Sequence, residues 1–101
     1  MRKSIEEVVV VVGSREEWLE RCRQALERQG FTKVEVAQTL GQIHANYKKM
    51  TTWGTLDITL LPEGDAQTRM NLKATANVDN VYAVFRSPGK KILETFKTGL
   101  E

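Results

Sequence analysis

The fold is decided by residues 42–76, QIHANYKKMTTWGTLDITLLPEGDAQTRMNLKATA, in which apolar and polar side chains alternate in three runs. Alternation with a period of two is typical of a half-buried β-strand. The runs span 42–48, 55–60 and 67–76, and Pro62-Glu63-Gly64-Asp65 between the last two has the composition of a hairpin turn. The pattern predicts antiparallel strands with one apolar and one polar face.

A strand, a capped helix and a further strand are predicted upstream of these runs. Residues 5–12 form a continuous, mostly β-branched stretch, which predicts a first strand that is well covered. Ser14 lies three residues before Glu17, the spacing of a capping box, and begins a predicted helix over 15–29. Residues 33–39 then alternate as a strand that joins the meander.

A second helix is predicted near the end of the sequence. Ser87 is placed to cap it, and Pro88 suits its first position. Its apolar stripe comprises Ile92, Leu93, Phe96 and Leu100, and a short helical turn is predicted before it at Val81, Val84 and Phe85.

The order of elements is therefore β-α-β-β-β-β-α, which predicts the α+β class. We expect an antiparallel sheet of about five strands with both helices packed on one face, because each helix has one apolar stripe and the sheet has one apolar face. The 101 residues suit a single domain over 1–101.

Four short stretches carry a resemblance to known proteins: 28–31, 41–45, 53–54 and 89–91. In these stretches the chain resembles small bacterial domains with a TATA-box-binding-protein-like fold, similar to domains found beside SHOCT segments. START-like ligand-binding domains elaborate a similar plan of helices on a curved sheet. The resemblance implies the fold and carries over no catalytic residues.

Composition limits the classes of function. The net charge is +2, from 15 basic and 13 acidic residues, which is weak for a dedicated nucleic-acid-binding module. Cys22 is the single cysteine, so no internal disulfide can form. No segment approaches the roughly 18 apolar residues of a membrane span. These features predict a soluble, cytoplasmic protein.

The residue types that carry chemistry are sparse. His44 is the single histidine, and as a general base it would need an oriented partner such as Asp57 on the neighbouring strand. The pattern favours an exposed strand histidine, and it places Cys22 on the apolar stripe of the first helix. The sequence therefore predicts a protein that is not an enzyme, without metal or cofactor.

An aromatic cluster gives the leading prediction of a binding site. Tyr47, Met50 and Trp53 lie near one connection, and with Phe96 they are predicted to bind an apolar small ligand or a protein partner at the sheet–helix edge. The alternative is a weak nucleic-acid-binding module that uses basic residues of the polar sheet face and the last helix: Lys48, Arg69, Lys73, Lys90 and Lys91. An unpaired edge, at the first strand or at 33–39, leaves self-association open.

Overall fold

A computed structural model of the protein describes residues 2–49, 52–77 and 88–100, with the backbone alone for residues 2 and 3. The order of elements is the predicted one. They are β1 (Arg2–Val12), α1 (Arg15–Arg28), β2 (Thr32–Ala37), β3 (Gln42–Lys49), β4 (Thr52–Glu63), β5 (Gln67–Asn77) and α2 (Pro88–Leu100), with a single 3-10 turn at Gln38–Leu40.

The five strands form one antiparallel sheet in the order β1-β5-β4-β3-β2. β1 and β2 are consecutive in the chain but lie at opposite edges. The connection between them is α1, which packs against β2, β3, β4 and β5 on one face of the sheet. α2 packs on the same face, beside α1. The predicted α+β class and its architecture are therefore confirmed.

Alternation along the strands separates a buried inner face from a polar outer face. Inner side chains of β3, β4 and β5 form one core with the apolar stripes of both helices. The largest members with less than 2% exposure include Leu26, Leu56, Ile58, Leu60, Met70, Leu72, Ile92 and Phe96.

Ser14 caps α1, as predicted. Its hydroxyl oxygen accepts a hydrogen bond from the Glu17 backbone N–H at 3.2 Å. The Glu17 carboxylate accepts from Arg21 at 3.3 Å, so it stabilises the next turn of the helix. The helix ends at Arg28, and Gly30 adopts a left-handed conformation with φ of 83°.

Two polar contacts anchor α2. The Lys97 ammonium donates to the Glu7 carboxylate of β1 at 2.8 Å, and Arg28 of α1 donates to the Gly99 carbonyl at 2.8 Å. Gly99 also lets the helices approach closely, because a Cβ there would lie 2.8 Å from the Ala25 carbonyl oxygen. No helix in the described residues is long and apolar enough to cross a membrane.

The prediction that the first strand is well covered is wrong. β1 is an edge strand, and the side chains of Val8, Val10 and Val12 on its outer face are 61%, 48% and 75% exposed. A continuous apolar run is typical of a strand buried on both faces, but here alternate valines meet the helices and the others face outward.

Some boundaries also differ from the sequence interpretation. β4 begins at Thr52, so Trp53 and Gly54 belong to a strand that was predicted to begin at residue 55. β2 ends at Ala37 because residues 38–40 form the 3-10 turn. The predicted cap at Ser87 and the helical turn around Val81, Val84 and Phe85 lie outside the described residues.

Candidate functional site

The residues of the predicted aromatic site are not all in one place. In the β3–β4 ladder Tyr47 is opposite Gly54, and Lys48 is opposite Trp53. Tyr47 is only 2% exposed and faces the helices, whereas Trp53 is on the outer face with the Lys48 ammonium 5.9 Å from its ring centroid. Phe96 is buried in the core, and Met50 lies outside the described residues.

Tyr47 lies in an apolar group at one end of the sheet–helix interface. Its ring centroid is 5.1 Å from that of Phe31, with the rings tilted by 55°. Across the ladder, Ile92 of α2 places its Cδ1 atom 3.1 Å from the position that a Cβ on Gly54 would occupy. We call Phe31, Tyr47, Gly54 and Ile92 the Tyr47 cluster.

The Tyr47 hydroxyl is the unusual feature of this cluster. It is buried, and it forms no hydrogen bond within the described part of the chain. A buried polar atom without a partner costs about 1–3 kcal/mol, so such atoms in folded proteins call for an explanation. A water or a bound molecule with a hydrogen-bonding group would supply the missing partner.

The middle of the sheet–helix interface, by contrast, is filled by side chains. Ile58, Leu72 and Phe96 have 1% exposure or less and belong to the continuous core. The unsatisfied hydroxyl lies toward the end of the sheet where β3 ends at Lys49 and β4 begins at Thr52.

His44 and Asp57 form the second group of chemical interest, on the outer face. His44 Nδ1 lies 2.5 Å from Asp57 Oδ1, so the partner expected from the sequence is in place. A carboxylate that accepts from Nδ1–H fixes the tautomer and leaves Nε2 as the free acceptor. Both side chains are nearly half exposed, and with Glu35 and Lys73 they line an open groove of about 510 Å³.

The basic residues of the nucleic-acid alternative do not form a positive face in the described residues. Arg69 donates to Glu63 at 2.7 Å and 3.0 Å, and this pairing raises the pKa of the Arg69 guanidinium. Lys73 is opposite both Glu6 and Asp57 in the strand ladders. Lys48 lies over Trp53, while Lys90 and Lys91 are exposed in the first turn of α2. The alternative therefore gains no support.

Cys22 is a buried part of the core, as the helix stripe predicts. It is fully buried with its Sγ atom 3.7 Å from Met70 Sδ, and burial raises the pKa of its thiol to about 12. A thiol in this state is a poor nucleophile and a poor metal ligand. Across residues 2–49, 52–77 and 88–100, no three His, Cys, Asp or Glu side chains are grouped to hold a metal ion.

Comparison with known proteins identifies the fold. No protein-family profile matches the sequence, and no curated protein matches it. Among solved structures, a START superfamily protein from Mycobacterium smegmatis superposes with a TM-score of 0.70 at 12% identity, covering 97% of this chain and 94% of that chain. These values show a START-like fold.

Two enzymes share this fold. Norcoclaurine synthase from Thalictrum flavum, in complex with dopamine and hydroxybenzaldehyde, has a TM-score of 0.63 at 10% identity, covering 99% of this chain and 84% of that chain. Zhui aromatase/cyclase from Streptomyces sp. R1128 has a TM-score of 0.62 at 9% identity, covering 98% and 88%. The TATA-box-binding-protein-like label and the link to SHOCT segments are not shown by these structures.

The prediction that the protein is not an enzyme is wrong, because proteins with this fold include enzymes. It rested on the lack of a recognisable nucleophile–base pair in the sequence, yet the same fold carries a synthase and a cyclase. A fold does not by itself determine function, so the lack of a catalytic motif in the sequence does not exclude catalysis.

Proposed function

We propose that this domain binds a small, mainly apolar molecule with one hydrogen-bonding oxygen at the Tyr47 cluster. The observation that carries the proposal is the buried Tyr47 hydroxyl, which lacks a partner within the described residues. The surrounding Phe31, Gly54 and Ile92 would contact the apolar part of the molecule.

An aromatic ligand fits this site best. The tilted ring of Phe31 beside Tyr47 provides an aromatic surface, and a further ring beside them would gain about 0.5–1.5 kcal/mol beyond its area burial. The fold neighbour norcoclaurine synthase was solved with dopamine and hydroxybenzaldehyde, which are small aromatic molecules that carry oxygen. That likeness supports the class of ligand and no particular compound. We also propose a cytoplasmic location, which suits a chain whose one cysteine is a free thiol.

A paired-ligand titration tests the proposal. The probes are 4-ethylphenol and ethylbenzene, which differ in the hydroxyl, and binding is followed by NMR in the native chain and in Tyr47→Phe. We expect Tyr47→Phe to weaken 4-ethylphenol binding roughly five- to tenfold, which is the value of one hydrogen bond, and to leave ethylbenzene within about twofold.

A matched variant separates the site from the rest of the aromatic surface. Trp53→Phe changes an aromatic residue on the opposite face and should leave both affinities unchanged. The proposal fails if neither probe binds the native chain at millimolar concentration, or if Trp53→Phe weakens binding as much as Tyr47→Phe.

A second candidate function is acid–base catalysis in the outer groove, favoured by the 2.5 Å contact between His44 and Asp57. A carboxylate that orients an imidazole raises its efficiency as a base, and Nε2 remains to accept a proton. The groove also presents the Lys73 ammonium and the Glu35 carboxylate to a polar substrate.

Hydrolysis of p-nitrophenyl acetate tests this second function, because the ester reports imidazole reactivity without knowledge of the natural substrate. If Asp57 orients His44, Asp57→Asn should lower the His44-dependent rate of ester hydrolysis at least tenfold. Asp65→Asn, in the exposed β4–β5 turn, is the control and should leave the rate unchanged. Equal rates in the native chain and Asp57→Asn would show that His44 is an ordinary exposed histidine.

A further inference from the structure

The outer edge of β1 has features of a strand that pairs with another strand. β1 is 11 residues long, pairs with β5 in unbroken register from Arg2 to Val12, and contains no proline or glycine. Its other side is the edge of the sheet. Val8, Val10 and Val12 are exposed along it on the outer face, and Leu61 adds an exposed side chain two strands away.

The opposite edge of the sheet is protected. β2 is six residues long, its register with β3 shifts between Thr32 and Glu35, and Lys33 has a φ of 50°, which is unusual for a residue with a side chain. Short length, irregular register and charged residues are the common ways in which proteins prevent edge pairing. The two edges therefore differ, and β1 is the one left regular, with an apolar stretch over 8–12.

We propose that two copies of this chain associate through antiparallel pairing of their β1 strands, about a twofold axis near Val9. A strand edge needs another strand to satisfy its N–H and C=O groups, and an antiparallel pair of identical strands is self-complementary. In this register Val8 of each copy is opposite Val10 of the other, so these two exposed valines pair across the interface, and Val12 is opposite Glu6.

The negative charges of Glu6 and Glu7 favour this register over registers whose twofold axis lies closer to these two residues. Glu6 and Glu7 would be directly opposite their own copies if the axis passed through them, and like charges in that position are destabilising. An axis near Val9 places each glutamate opposite valine instead. The protected edge at β2 then stops further addition, so the pairing closes as a dimer of two five-stranded sheets rather than growing into a filament.

The expected affinity is modest. A single pair of strands buries an area at the low end of specific protein interfaces, so we expect a dissociation constant in the micromolar range. Sedimentation equilibrium of the full chain from about 5 μM to 1 mM covers this range. The variant is Val10→Lys, which places a charge in the pairing surface at an exposed position, and the control is Val36→Lys, an exposed valine of β2.

The proposal predicts that the native chain and Val36→Lys form dimers, and that Val10→Lys weakens dimerisation at least tenfold. Circular dichroism checks that both variants are folded. A native chain that is monomeric at 1 mM would overturn the proposal, as would assemblies larger than a dimer. Equal effects of the two lysine variants would also overturn it, because the interface would then not be β1.

Discussion

At the scale of single residues, Tyr47 is buried and Trp53 is exposed because their positions in β3 and β4 place them on opposite faces of the sheet. β3 and β4 pair so that Tyr47 is opposite Gly54 on the inner face, while Trp53 is opposite Lys48 on the outer face. Gly54 therefore occupies an inner position, where an ordinary side chain is expected. A Cβ at this position would lie 2.2 Å from the Thr75 carbonyl oxygen and 2.9 Å from the Ala76 Cα atom.

Gly54→Ala should therefore destabilise the protein. Because the nearest atoms are backbone atoms of β5, the strand itself must move, and we expect a loss of about 1–3 kcal/mol in the free energy of unfolding. Urea denaturation measures it. Gly89→Ala is the control, since its Cβ would lie 3.2 Å from the Ile5 side chain, and the nearest backbone atom is the Ala74 carbonyl oxygen at 3.7 Å. Equal losses in both variants would contradict the close approach of β4 and β5.

Cys22 gives a prediction about alkaline pH. Burial raises the pKa of its thiol from 9.0 to about 12, so the unfolded chain loses this proton at a lower pH than the folded protein does. The associated stability is fully present below pH 9 and is lost as the pH rises toward 12.

Urea denaturation between pH 8 and 11 should show this effect. The unfolding free energy of the native chain should fall more steeply with pH than that of Cys22→Ala, by at most about 1.4 kcal/mol per pH unit. The comparison of slopes cancels the effects of other titrating groups and of the smaller side chain. Parallel curves would show that the thiol is accessible to solvent in the folded protein.

At the scale of elements, α1 depends on its first turn. The Ser14 hydroxyl satisfies one of the free backbone N–H groups at the N-terminus, and Glu16 and Glu17 lie near the positive end of the helix dipole. α1 also crosses the sheet between β1 and β2, so its stability matters for how the two edges are placed.

Ser14→Ala should lower the free energy of unfolding by about 1 kcal/mol, because the N–H of Glu17 loses its acceptor. Ser14→Asp keeps an acceptor at the same place and should remain within about 0.5 kcal/mol of the native value. Thermal denaturation of the three proteins provides the comparison. A loss in Ser14→Asp as large as that in Ser14→Ala would mean that the side chain acts by some contact other than capping.

At the scale of the whole molecule, the architecture could be predicted because each element carries its own pattern. The alternation in 42–76 and the apolar stripes of both helices define one buried face each, and packing those faces together leaves little choice. The strand order could not be read in this way, since β1 pairs with β5, whose paired residues lie 55 to 75 positions later.

The candidate site was only partly predictable. Tyr47 and Phe96 were placed correctly on the buried face by periodicity, but Phe31 and Ile92 meet Tyr47 and Gly54 through tertiary packing that no local pattern reports. Trp53 was misplaced because its glycine neighbour and the polar residues before it resemble a connection, whereas pairing with β3 and β5 extends the strand through them. The partner of His44, by contrast, was predicted as Asp57 on the neighbouring strand, and the register of β3 and β4 places the two side chains in contact.

The most direct test of the central proposal is where a small aromatic molecule binds. We would record amide and methyl chemical-shift changes in the labelled protein during titration with 4-ethylphenol. We expect changes centred on the Tyr47 cluster, at Phe31, Tyr47 and Ile92, with the Trp53 indole and His44 signals unaffected. Changes centred instead on His44 and Trp53, or none at saturating probe, would contradict a binding site between the sheet and the last helix.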